Sequence, residues 1–208
     1  VMTIPLAIGV QRMAKQQAII RRLPAVETLG SVTVICSDKT GTLTSNEMMV
    51  QHLVTRDHAY AVDGSGYSPE GHFYVDGSQI EPQAHSDLNI LLKSCALNND
   101  AELRASQTQW VIEGNPMEAA LLSAAMKADI DPAHQRQIEQ RIDDIPFDSK
   151  YKFMATRHAI GDDVVTLIKG APERVLAMCD FEHTIKGDQP IDRAHWEDAM
   201  EGLANRGN

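Results

Sequence analysis

The sequence predicts a mixed α/β chain in two parts. The first is built around a buried strand that ends in an acid. The second is an α+β region of antiparallel strands flanked by helices. Three observations predict this. The run Val32-Thr33-Val34-Ile35-Cys36-Ser37 is apolar and β-branched and leads into Asp38 and a Gly-containing loop. Residues 57–80 are rich in Gly, Asp and Ser, as expected of short strands joined by turns. Helical patterns with cap signals recur later, at residues 83–98, after Asn115-Pro116, after Asp131-Pro132 and from Asp192 to Ala204.

Composition sets the bounds. The chain has 208 residues, 43% hydrophobic and 23% charged, enough for one large domain or one domain plus pieces of another. The formal charge of -10 and a pI near 5.2 give no support to a nucleic-acid partner, which asks for a basic face. The charge is uneven: Arg12, Lys15, Arg21 and Arg22 all precede the first acid, Glu27. Cys36, Cys95 and Cys179 form neither a disulfide framework nor a zinc pattern, and they fit a reducing compartment. Cys36 is expected to be a small buried hydrophobe. The eight histidines show no ligand spacing and are expected at the surface or satisfied by neighbours.

Taken in order, residues 1–9 are mostly apolar but too few to span a bilayer, which takes about 20 residues. They fit either a buried core segment or the cytoplasmic end of a transmembrane helix. The basic flank favours the second. Residues 11–20 have good helix propensity and would continue outward as a stalk, ended by Pro24. The strand at 32–37 follows, then a second at 48–54 and the short strands of 57–80. Leu88, Leu91, Leu92, Cys95 and Ala96 mark a helix over 83–98. Trp110-Val111-Ile112 is a short strand. Asn115 as N-cap, Pro116 at the first position and Glu118 at the third start a helix running through Lys127. Asp131-Pro132 opens another, to about Arg141. Ile145-Pro146-Phe147 leads into strands at 153–158 and 164–168, joined by a Gly161-Asp162-Asp163 turn. Lys169-Gly170-Ala171-Pro172-Glu173 is a strand-to-helix junction, with its helix at 173–179.

The loop after the first strand carries chemistry. A carboxylate held at a strand end, beside backbone N–H groups, the charge of Lys39 and the hydroxyls of Thr40, Thr42 and Thr44, is placed to attack a phosphoryl group. Asp38-Lys39-Thr40-Gly41-Thr42-Leu43-Thr44, with Leu23-Pro24-Ala25-Val26-Glu27-Thr28-Leu29-Gly30 before it and Ser45-Asn46-Glu47-Met48 after it, resembles the phosphorylation signature of P-type cation-transporting ATPases, calcium-pump-like branch. The resemblance also favours the membrane reading of the first residues. It implies the start of a haloacid-dehalogenase-like, Rossmannoid phosphorylation domain plus an α+β nucleotide-binding domain with an antiparallel sheet flanked by helices. The implied divisions are residues 1–22 for the end of a transmembrane helix and stalk, 23–49 for the phosphorylation part, and 50–208 for the nucleotide-binding domain.

Three later stretches resemble that nucleotide-binding domain, in the family's order. In Glu113-Gly114-Asn115-Pro116-Met117-Glu118, Met117 stands where the family usually has Thr, which puts a hydroxyl contact in doubt. Glu118 is either a capping-box acid or an adenine contact. Phe147-Asp148-Ser149-Lys150-Tyr151-Lys152 resembles the adenine-binding strand, with Phe147 to stack the base and Lys152 near the nucleotide. Lys169-Gly170-Ala171-Pro172-Glu173 resembles the Lys-Gly-Ala-Pro-Glu motif. There Lys169 would enter the pocket and Gly170 would let a ligand approach the backbone.

By resemblance, ATP is the donor, Asp38 the nucleophile, and Lys39 and Thr42 contact the phosphoryl group. Asp38 and the Thr40 carbonyl would hold Mg²⁺. Related phosphatases have an Asp two residues after the nucleophile as general acid/base. Thr40 occupies that position, so an aspartyl-phosphate should persist, as a pump needs. The implied function is ATP-driven cation transport by a multi-pass membrane protein, with this portion cytoplasmic. Ca²⁺ is the expected ion, with Na⁺, K⁺ and H⁺ as alternatives. The family's Thr-Gly-Asp and Gly-Asp-Gly-x-Asn-Asp motifs do not occur in this sequence. The isolated chain is therefore expected to bind nucleotide and turn over poorly, and a non-catalytic nucleotide-binding module is the alternative class.

Overall fold

The computed structural model describes residues 3–18, 21, 26, 28, 30–37, 47–106 and 110–205. The chain divides into two compact units, Val1–Asn46 and Glu47–Asn208.

In the first unit, helix α1 spans Thr3–Lys15, with Arg12 and Lys15 in its last turn, where cations complement the unpaired carbonyls. The helix stops short of residue 20. Gln17 adopts φ 62, its N–H donates to Ala14 O at 3.0 Å, and the Ala18 N–H donates to Met13 O at 3.0 Å. This is a Schellman ending, usually built on glycine, which is why propensity did not reveal it. No helix among the described residues is long and apolar enough to cross a membrane. Residues 32–37 form no strand, and Val34 and Ile35 are 72% and 87% exposed. An apolar run becomes a strand only when a neighbouring strand takes its backbone hydrogen bonds, and no strand among the described residues lies beside this one. Cys36 is likewise exposed, against expectation, since no layer among the described residues covers the segment.

The second unit begins with a four-stranded antiparallel sheet of β1 (His52–Val54), β2 (Ala59–Val62), β3 (Phe73–Val75) and β4 (Ser78–Ile80). The strand expected over 48–54 thus starts only at His52. A short 3-10 turn at Pro82–Ala84 leads into α2 (Ser86–Leu97). A hairpin of β5 (Glu102–Ala105) and β6 (Trp110–Glu113) precedes α3 (Pro116–Lys127). Asn115 caps α3, its side chain accepting from the Met117 N–H, and Asp131 caps α4 (Pro132–Ile138) through the Ala133 and His134 N–H groups. Helix α4 ends before Arg141, which already belongs to the next strand.

A three-stranded antiparallel sheet follows: β7 (Arg141–Asp148), β8 (Phe153–Ile160) and β9 (Asp163–Gly170). The β8–β9 turn uses Gly161 at φ +61. Then come α5 (Pro172–Met178), a hairpin of β10 (Phe181–Thr184) and β11 (Gly187–Pro190), and α6 (Arg193–Asn205). Sequence patterning did not anticipate β5 or the β10–β11 hairpin, both short and rich in polar residues.

One core cluster joins Tyr60 and Phe73 of the first sheet to Leu88, Leu92 and Ala96 of α2 and to Ala124 and Ala125 of α3. A second gathers Tyr67, Ala101, Ala119, Ala120 and Leu122. On β8, Met154, Thr156 and His158 are buried and Arg157 is exposed. In register beside them, Val165, Leu167 and Lys169 are half-buried, while Val164 and Ile168 lie open.

Candidate functional site

Asp38, Lys39, Thr40 and Thr42 lie outside the described residues. The candidate groups that the structure places are Glu118, Phe147, Lys152, Lys169 and Gly170.

Lys169 sits one residue before the end of β9, opposite Met154. Its Nζ donates to Glu118 Oε1 at 2.6 Å and to the Asn98 carbonyl at 2.8 Å. Both charged side chains are largely covered, at 19% and 11% exposure. Glu118 lies in the first turn of α3, where the helix N-terminus favours negative charge. From there its carboxylate also reaches a strand 51 positions away. Asn98 is the C-cap of α2, and its Nδ2 donates to Leu167 O at 3.1 Å, tying the helix end to β9. Its Oδ1 is buried with no partner among the described residues. An ammonium has three N–H donors. Two are used here, leaving one for a ligand. The neighbouring Cys95 thiol is pushed up to about 11 by burial, which the Lys169 charge offsets only in part. It is thus protonated and unreactive at neutral pH.

Gly170 is required by its own chain. A Cβ there would stand 2.4 Å from Lys152 O and 2.7 Å from Phe153 Cα. The next residue, Ala171, donates its N–H to that same Lys152 carbonyl at 2.9 Å. The Lys-Gly-Ala junction therefore locks the end of β9 onto the 149–152 turn, where Lys152 adopts φ 59. The Lys152 side chain turns outward to Glu173, 3.3 Å away and also exposed. Phe147 is 62% exposed, so its ring is free of the core. Met117 is exposed beside the α3 N-terminus and offers no hydroxyl.

A cavity of about 660 Å³ opens next to these groups, within the size range of small-molecule sites. Lys169, Gly170, Asn98 and Cys95 line it, together with apolar side chains such as Leu121 and Val175. Phe147 and Lys152 are not part of that lining. The structure thus unites Lys169 with Glu118, seats Gly170 against Lys152, and leaves Phe147 outside the cavity lining. Asn98 is the contributor that sequence reading missed. Its only signal was its place at the end of the predicted helix. Among the histidines, His58 and His85 were also missed as a group: with Asp87 their ligand atoms lie within 4.8 Å of one another.

Comparison with known proteins adds relatives. A family profile described as P-type ATPase, cytoplasmic domain N, matches residues 87–208. The chain is 44% identical over 213 residues to "Cation-transporting ATPase pma1" of Synechocystis, covering 100% of this chain and 23% of the relative. It is 45% identical over 207 residues to "Probable cation-transporting ATPase F" of Mycobacterium tuberculosis, covering 99% and 23%. It is 40% identical over 189 residues to "Calcium-transporting ATPase type 2C member 1" of Bos taurus, covering 88% and 19%. The chain spans less than a quarter of the length of these relatives.

Proposed function

The chain belongs to the P-type cation-transporting ATPases, and from that premise we propose that it carries the phosphorylation loop and the ATP-binding domain of an ion pump. The observation that supports this most is Lys169. It is anchored at a Lys-Gly-Ala-Pro-Glu junction, held between Glu118 and Asn98, and faces a cavity large enough for a nucleotide with one donor to spare. Glu118 fixes the position of the ammonium while the apolar lining raises the strength of its contact with an anionic ligand. Phe147, already exposed, needs no core disruption to stack on a base. Lys152 adds a cation to the same strand-turn-strand segment.

In this reading Asp38 attacks the γ-phosphorus of ATP in line. The bond from the carboxylate oxygen to phosphorus forms, the bond to the β,γ-bridging oxygen breaks, and ADP leaves. Lys39 and Thr42 contact the transferred group. Thr40, which cannot act as a base, lets the aspartyl-phosphate wait for ion movement. Mg²⁺ would supply charge neutralisation, and the groups assigned to it, Asp38 and the Thr40 carbonyl, lie outside the described residues. The transported ion is proposed to be Ca²⁺, with Na⁺, K⁺ or H⁺ as alternatives. The complete protein would be an integral membrane pump with these residues on the cytoplasmic side. Residues 1–22 would form the membrane exit and stalk, 23–49 the start of the phosphorylation domain, and 50–208 the nucleotide-binding domain.

Two measurements test the reading. In the complete protein, γ-labelled ATP with a panel of cations should give an acid-stable, hydroxylamine-labile phosphoprotein, absent in Asp38→Asn and dependent on one cation. No label with any cation overturns the mechanism. In this chain, titration with a fluorescent ATP analogue should show Phe147→Ala weakening binding by about 5- to 150-fold, the worth of one stacking contact. Lys169→Ala should also weaken it. Unchanged affinity in both variants refutes the pocket assignment.

A further inference from the structure

On another part of the cavity wall that Lys169 lines, two imidazoles converge on one buried carboxylate, Asp87. His58 lies in the turn between β1 and β2, and its Nδ1 stands 3.0 Å from Asp87 Oδ2. His85 is the N-cap residue of α2, and Asp87 sits in that helix's first turn. The two histidine rings meet edge-on with centroids 5.3 Å apart. We propose that His58, His85 and Asp87 form a binding site for a divalent metal ion of the zinc class, which would staple the β1–β2 turn to the start of α2.

The geometry supports a metal beyond a hydrogen-bond hub. All three ligand atoms lie within 4.8 Å of one another. Tetrahedral zinc, with bonds of about 2.0–2.2 Å, asks for ligand atoms roughly 3.5 Å apart, so small rotations of the two half-buried imidazoles suffice. A carboxylate needing only hydrogen bonds is already served by Thr55 Oγ1 at 2.6 Å and by Tyr60 OH at 2.9 Å, and does not need two imidazoles. Those same hydroxyls are the outer partners that orient a ligating carboxylate, and Tyr60 OH also lies 3.2 Å from His85 Nδ1. Asp87 and Thr55 line the 660 Å³ cavity, so the carboxylate is reachable from that side, while His58 and His85 stand behind it. Two imidazoles with one carboxylate favour Zn²⁺, Ni²⁺, Cu²⁺ or Co²⁺ over Mg²⁺ or Ca²⁺. The site is thus chemically separate from the Mg²⁺ and the transported ion proposed above, and it does not rest on that reading.

The test uses the 208-residue chain without a tag, stripped by chelator and kept reduced. ZnCl₂ titrated by calorimetry should bind one ion per chain and raise the melting temperature. His58→Ala and His85→Ala should each weaken binding by at least ~tenfold, and Tyr60→Phe by about tenfold through loss of the outer partner. CoCl₂ should give a visible spectrum without thiolate charge-transfer bands, which excludes Cys36, Cys95 and Cys179 as the ligands. Absence of saturable Zn²⁺ binding, binding that survives both histidine substitutions, or a thiolate-dominated cobalt spectrum would each overturn the proposal. Should His85→Ala lose its helical circular dichroism, His58→Ala, whose side chain is on a turn and 28% exposed, decides the matter.

Discussion

Helices α2 and α3 and the sheet β7–β9 treat their apolar residues in opposite ways. Leu88, Leu92, Ala119 and Leu122 on the two helices are sealed from water, whereas Ile142, Ile145 and Phe147 on β7 are each more than half exposed. The helices pack against the four-stranded sheet and against each other, so each apolar stripe meets a second layer. Strand β7 meets β8 only along its edge, through backbone hydrogen bonds, and no layer covers its apolar side chains among the described residues. The difference separates support from presentation. A close-packed base holds Glu118 and Asn98 in place, and a thinner sheet brings Lys169 against them and leaves Lys152 and Phe147 exposed.

The largest test of this contrast is paired truncation. Leu92→Ala should cost about 2–5 kcal/mol in urea denaturation, because the packed base cannot collapse into the cavity left behind. Ile145→Ala should change stability by about 0.5 kcal/mol or less. Comparable losses at both sites would mean that β7 is covered in solution, and the division would fail.

A smaller effect sharpens how the sheet holds its functional end. Gly170→Ala forces a methyl against the Lys152 carbonyl and the Phe153 backbone, neither of which can rotate away. We expect a cost of about 1–3 kcal/mol in the same assay, the range for overpacking. A neutral result would show that the 149–152 turn yields freely, and that the Lys169 position is not locked by this junction.

The smallest effect concerns the exposed pair on the same turn. Glu173→Gln removes the partner of Lys152, but both side chains are more than half exposed, and solvent screens such pairs so that they add little to stability. Stability should barely change, and nucleotide affinity should not fall, because Lys152 is released and not lost. A large loss of stability would show that the turn depends on this ion pair and would move Lys152 from presentation to support.

Much of the local architecture was legible in the sequence for local reasons. Asn115-Pro116 and Asp131-Pro132 start helices because side-chain oxygens satisfy the first free N–H groups and proline tolerates the first turn. Gly161 marks the β8–β9 turn because it accepts a positive φ. Legibility failed where a neighbour decides. The 11–20 helix was cut at Gln17 by a backbone ending that needs no diagnostic residue. The polar strands β5, β10 and β11 exist because a partner strand takes their hydrogen bonds, not because of any alternating pattern.

The candidate site divides along the same line. The sequence by itself determined the family, the Lys-Gly-Ala-Pro-Glu junction and an aromatic at residue 147, since these are contiguous motifs whose local geometry travels with them. Only the tertiary structure decided that Glu118 would serve Lys169 across 51 positions, that Asn98 would stand beside them, and that His58 and His85 would meet at Asp87. Charges and ligands so far apart in the chain act on one another only once folding has brought them within a few ångströms, and no residue spacing records that distance.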